Sequence, residues 1–128
     1  MERKYDLDEW LINFAAAIIK LSEILPATIS GRHLSGQIVR SGTAPALHYG
    51  EAQGGESRGD FVHKMKVALK ELRETFNALR IVKRMGWISE DELLPLLDEN
   101  NQLISIFVKS VETAQKNDAK SKFSKPKG

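Results

Sequence analysis

Cysteine is absent from these 128 residues. That excludes a disulfide scaffold, thiolate catalysis and cysteine-ligated zinc, and it accords with a reducing compartment. Long apolar runs are missing too. The longest, Trp10 to Ile19, is interrupted by Asn13 and ended by Lys20, too short to span a bilayer. The N-terminus opens with Glu2, Arg3, Lys4 and Asp6, a mixed start rather than the basic one of a secretory signal, so the expected compartment is the cytoplasm. Catalytic signatures are lacking as well: there is no Gly-x-Ser-x-Gly, Walker or dinucleotide motif, and the Gly50–Gly59 stretch has no strand before it to form a phosphate loop. No enzyme, cofactor or small-molecule substrate is expected.

With 41% hydrophobic and 28% charged residues, the chain reads as one soluble globular domain, large enough for its own core. Four amphipathic segments account for most of it. The first places Leu7, Leu11, Phe14, Ile18, Leu21 and Leu25 at helical spacing, and Pro26 limits it. After a connector, Ala27 to Ser30, a second segment carries Leu34, Ile38, Pro45, Tyr49 and Ala52 along one side; Gly36, Gly42, Gly50 and Pro45 predict a kink or a close helix contact. Ser57 with Asp60 opens a third segment, whose seam of Phe61, Met65, Ala68, Leu72, Thr75, Leu79 and Val82 is widened by Val62, Leu69 and Phe76. Gly86 stands where a left-handed residue would end it. Ser89 and Glu92 form a capping box for the fourth segment, Ile88 and Leu93 a hydrophobic staple, and the seam continues through Leu97, Asn100, Ile104, Phe107, Val111 and Ala114. The reading is an all-α, antiparallel up-down four-helix bundle over residues 1–115, with 116–128 a disordered basic tail. Apolar arcs this broad on the last two segments predict self-association into a ring.

The third segment also carries the most informative surface. Lys66, Lys70, Arg73, Arg80 and Arg84 recur at steps of three, four and seven, which stacks them on one helix face. At 1.5 Å rise per residue this cationic stripe runs on the order of 27 Å. Residues 57–86 hold eight bases and three acids, a net of +5, and residues 89–115 hold one base and six acids, a net of −5. Either the two helices neutralise each other, within or between subunits, or the basic face serves an external polyanion. No aromatic residue interleaves with these bases, so contact is expected with phosphates and to be weakly sequence-selective.

Carboxylates offer a rival chemistry, because di-iron bundles use inward Glu residues and Glu-x-x-His pairs. Here the second segment has His48-x-x-Glu51, the reverse order, and the third has Glu71-x-x-Glu74. The required pair is not repeated, so no metal site is expected. Glu51, Glu71 and Glu74 are instead expected to pair with Arg40, Lys64 or Arg73 across the second and third segments and fix their register. His33, His48 and His63 fall on different segments without ligand spacing.

A specific set of residues lies between Arg40 and Thr75: Arg40-Ser41-Gly42-Thr43, Tyr49, Glu51-Ala52-Gln53, Ser57, Asp60-Phe61, His63-Lys64, Lys66, Ala68-Leu69-Lys70-Glu71 and Arg73-Glu74-Thr75. This stretch resembles the 23S rRNA intervening-sequence protein family, also called the four-helix bundle protein family. His48, Pro45 and Leu47 depart from the family pattern. The resemblance implies an antiparallel bundle assembling into a ring, typically a pentamer, in bacteria. It also implies kinship with the basic pentameric accessory proteins of diversity-generating retroelements, which work with a reverse transcriptase and its RNA. The family has no established enzymatic activity. RNA or a ribonucleoprotein is the partner so implied; the alternative is a protein scaffold whose basic face meets acidic residues of the fourth segment or of another protein.

Overall fold

The computed structural model describes residues 6–54 and 57–124, with side chains described as far as Asn117. Four helices fill it: α1 Leu7–Ser22, α2 Ile29–Gln53, α3 Arg58–Met85 and α4 Glu90–Ser124. No strand occurs among the described residues. The first three helices begin where a short polar side chain replaces a missing backbone partner. Asp6 accepts from the Glu9 amide at 3.2 Å, Thr28 from Gly31 at 3.0 Å and Ser57 from Asp60 at 3.0 Å. At the start of α4 the expected capping box takes another form. The Ser89 hydroxyl faces the Glu92 carboxylate at 3.3 Å, and the Glu92 amide bonds the Ser89 carbonyl at 3.2 Å. Gly86 ends α3 at φ 69°, the left-handed conformation that a Cβ penalises.

The middle of the predicted seams forms the core, while Leu7, Leu25, Leu34, Tyr49, Phe61, Leu97 and Ile104 are partly buried against it. Leu11, Phe14 and Ile18 of α1 meet Ile38 and Ala46 of α2, Met65, Leu72, Leu79 and Val82 of α3, and Leu93, Leu103 and Phe107 of α4, all buried in one cluster. Tyr49 of α2 meets the Phe107 ring edge-on, with centroids 6.2 Å apart. Neighbours in sequence pack on one another, and α1 meets α4 over a smaller seam bridged by the Trp10 indole N–H donating to Glu99 at 2.7 Å.

The awkward second segment is a continuous helix through its buried Pro45. Of the two expected outcomes, kink or close contact, the close contact is present. A Cβ built on Gly42 would stand 2.7 Å from Cγ2 of Ile18, so glycine here lets α1 and α2 approach.

Polar groups set the register. Across α2 and α3, Gln37 reaches Glu74, Arg40 spans Glu71 and Glu74, buried Ser41 and Thr75 share a hydrogen bond of 2.8 Å, and Lys64 reaches Glu51 at 3.1 Å. Across α3 and α4, the buried Asn100 amide donates to the Leu72 carbonyl at 3.1 Å, and Lys83 meets Glu90 at 3.4 Å.

The C-terminal stretch differs from expectation. The helix does not stop at Gln115, where the apolar pattern fades, but runs on to Ser124. Val111 is its last buried residue among those described. Beyond that point Gln115, Lys116, Ala119 and Lys120 are good helix formers and extend α4 by propensity. The rest of the tail assigned to 116–128, residues 125–128, lies outside the described residues.

Candidate nucleic-acid interface

Because α3 buries Met65, Ala68, Leu72, Thr75, Leu79 and Val82, the opposite side of the same helix must face solvent. That side carries Lys66, Lys70, Arg73, Arg80 and Arg84, every one exposed. Asn77 is also on it, four residues after Arg73 and three before Arg80, and its Oδ1 accepts from the Arg80 guanidinium at 3.1 Å. Sequence reading passed over Asn77 because it sought charge; the spacing alone would have found it.

None of the five cations forms an ion pair among the described residues, although α3 as a whole is well supplied with acids nearby. Two arrangements explain this. Glu71 and Glu74 lie to one side of the stripe and are taken by Arg40 of α2, at 3.1 and 2.7 Å. The acid-rich start of α4 reaches α3 through Glu90 and Lys83, and Lys83 is not on the stripe. Among the described residues, no acid of α4 forms an ion pair with the stripe. The Arg40 hydrogen bond holds the Glu74 carboxyl below its ordinary pKa, and Lys70 adds a smaller push in the same direction.

The expected pairing across α2 and α3 is present for Arg40 and Lys64; Arg73 takes no part and stays on the exposed face. His48 lies 3.7 Å from Glu51, whose carboxyl is pulled below its ordinary pKa chiefly by the Lys64 hydrogen bond. These carboxylates are thus occupied by cations. Among the described residues, no three His, Cys, Asp or Glu side chains converge as a metal would require. His33 and His63 are exposed on separate helices. No described helix is long and apolar enough to cross a membrane.

Open recesses on the described surface include the following two. One, of about 450 Å³, is bordered by Phe61 of α3 and by Ile106, Lys109 and Thr113 of α4. The other, of about 360 Å³, lies on the stripe itself and is lined by Asn77, Arg80, Ile81 and Arg84.

Residues 5–109 match the family model described as 23S rRNA-intervening sequence protein. The chain belongs to this family. Among solved structures, it is similar to a protein of unknown function from the S23 ribosomal protein family of Bacteroides thetaiotaomicron, known at 1.70 Å resolution. The two share 26% sequence identity with a TM-score of 0.74, over 83% of this chain and 98% of the other. No curated protein matches the chain. For this member of the 23S rRNA-intervening sequence protein family, the departures noted in α2 have structural places. Pro45 is buried, Leu47 is 67% exposed, and His48 sits beside Glu51.

Proposed function

We propose that this protein is a non-enzymatic, cytoplasmic, self-associating bundle of a bacterium that binds structured RNA, or an RNA–protein complex, through the stripe of Lys66, Lys70, Arg73, Arg80 and Arg84. The observation that carries the reading is that five aligned, exposed cations make no ion pair among the described residues although their own chain has acids on the adjoining helices. An unneutralised line of charge on a rigid helix suits a regularly spaced polyanion. The family name gives the context of rRNA.

The assembly we propose is an up-down bundle closing into a ring, typically a pentamer. Support for the up-down order comes from the pairings: Gln37–Glu74, Arg40–Glu71 and Glu51–Lys64 run in opposite senses along α2 and α3, as do Lys83–Glu90 and Leu72–Asn100 along α3 and α4. Support for self-association comes from large apolar side chains left in solvent, such as Ile12, Leu47 and Leu94. Repeating the stripe around a ring lets several weak phosphate contacts act together.

A second reading has its own observation. Asp91 and Asp98 of α4 are exposed and unpaired with α3, so α4 of another copy, or an acidic protein, would cover the same stripe in a scaffold. Binding of an RNA hairpin measured against salt separates the two. Counterion release gives a steep negative slope of log affinity on log salt, which should flatten by about two to three when Lys70, Arg73 and Arg80 are all changed to Glu. A triple variant that keeps its assembly, measured by light scattering, together with full RNA affinity would remove the stripe as the site. Wild type that binds no RNA at low salt leaves the scaffold.

A further inference from the structure

The stripe is not uniform along its length. Its first members, Lys66 and Lys70, are compact point charges suited to phosphate from any direction. Its far end is built from arginines around the recess of about 360 Å³ lined by Asn77, Arg80, Ile81 and Arg84. It is an open recess on one face of α3, with a volume inside the ~300–1,000 Å³ range of ligand pockets and therefore ample for one flat heterocycle.

The lining residues can serve a base as well as a phosphate. Guanidinium planes stack on nucleobases, and Arg80 is held in place by its hydrogen bond to Asn77 at 3.1 Å, so less freedom is lost when a ring lies against it. Ile81 is 51% exposed and supplies an apolar wall that a phosphate would not use. The Asn77 carbonyl is taken by Arg80, which leaves the amide nitrogen as a donor toward a ring nitrogen or carbonyl on a base edge. Aromatic residues are absent from the stripe, and here arginine and isoleucine replace them.

We propose that this recess receives one unpaired nucleobase of a bound RNA, so that the stripe selects structured RNA carrying a bulged or looped-out nucleotide over uniform duplex. Lys66 and Lys70 hold the flanking backbone, and Arg80 and Arg84 clasp the extruded ring. The proposal rests on the RNA reading above and gives that reading a substrate class.

Two hairpins of one sequence, fully paired and with a single-nucleotide bulge, test it against wild type, Arg80→Lys and Ile81→Ala. Both substitutions are at exposed positions, and Arg80→Lys keeps the charge while removing the plane. Wild type should bind the bulged hairpin about tenfold more tightly, the scale of a single stacking contact. Ile81→Ala should lose most of that preference while retaining affinity for the paired hairpin and its salt slope, and Arg80→Lys should weaken binding of the bulged hairpin more than binding of the paired one. Equal wild-type affinity for the two hairpins overturns the recess and leaves the stripe standing. No binding of either at low salt overturns both. If Ile81→Ala changes the assembly size while the bulge preference stays, the recess is a contact between copies, receiving an apolar side chain such as Leu94 of a neighbour, and the proposal fails.

Discussion

Two glycines six residues apart on α2 should respond to alanine in opposite directions. Gly36 is exposed, and a Cβ built there meets nothing within 4 Å. Gly36→Ala therefore gains helix propensity alone, about 0.8–1.0 kcal/mol. Gly42 has the same propensity to gain, but its Cβ would stand 2.7 Å from Cγ2, 3.1 Å from Cγ1 and 3.2 Å from Cβ of Ile18. Rotating the Ile18 side chain does not remove a clash that includes its own Cβ. Ile18 is fully buried, so α1 and α2 must move apart. Overpacking of this kind costs about 1–3 kcal/mol, which outweighs the propensity and leaves Gly42→Ala less stable by about 1 kcal/mol. The two variants should then differ by roughly 2 kcal/mol, or about 6–12 °C in Tm for a chain of this size. Thermal melts at one protein concentration check this, since assembly adds to apparent stability.

A double-mutant cycle isolates the contact. Ile18→Ala alone removes buried methyl groups and should cost about 2–5 kcal/mol. With Gly42→Ala the new methyl enters the space vacated by Ile18, so the pair should be more stable than the sum of the single effects by about 1 kcal/mol or more. Additive effects, or a Gly42→Ala variant as stable as Gly36→Ala, would refute the close approach of α1 and α2 as the reason for glycine.

Acid should weaken the fold through α2 and α3. Glu51 and Glu74 have carboxyl pKa values below the ordinary 4.5, so the stability they add is complete above that value and is lost as pH falls through their lowered pKa values. Melting temperature should drop in that window, and Arg40→Gln should make the drop shallower; a curve identical to wild type would show that Arg40 does not couple to Glu74. Asn100→Leu should be neutral or stabilising by about 1 kcal/mol in denaturant titrations, because the buried Oδ1 has no partner among the described residues and leucine matches the branched shape. A loss above about 2 kcal/mol would mean that the Asn100 bond to the Leu72 carbonyl is needed for packing α3 on α4.

The parts of this fold that could be read from the sequence are those written in one residue's chemistry or one helix's period. The buried seam of α3 follows from steps of three and four, and the stripe is its complement on the opposite side, so both were legible together. Asp60 following Ser57, and Gly86 before Trp87, are local signals that any helix would obey. What was not legible depended on distances between helices. The Ser89 and Glu92 pair has the sequence of a capping box, yet the two side chains hydrogen-bond each other, because the exposed turn does not enforce the reciprocal backbone bonds. The helical stretch beyond Gln115 carries little apolar pattern to announce it and is written in good helix formers instead. Neutralisation of the stripe by α4 was a fair expectation from opposite net charges, but charge totals carry no direction. Only the geometry shows Glu71 and Glu74 turned toward Arg40, and Glu90 toward Lys83. Glu71 and Glu74 have a nearer cation in Arg40, and Glu90 in Lys83, so none of these three acids pairs with the stripe. The same logic locates the recess. Ile81 is one position past Arg80 and reads as a stray apolar residue in a linear sequence, whereas in the folded helix it completes a wall beside two guanidiniums. A binding surface made by one helix can be foreseen as a stripe of charge, but its relief has to be seen in three dimensions.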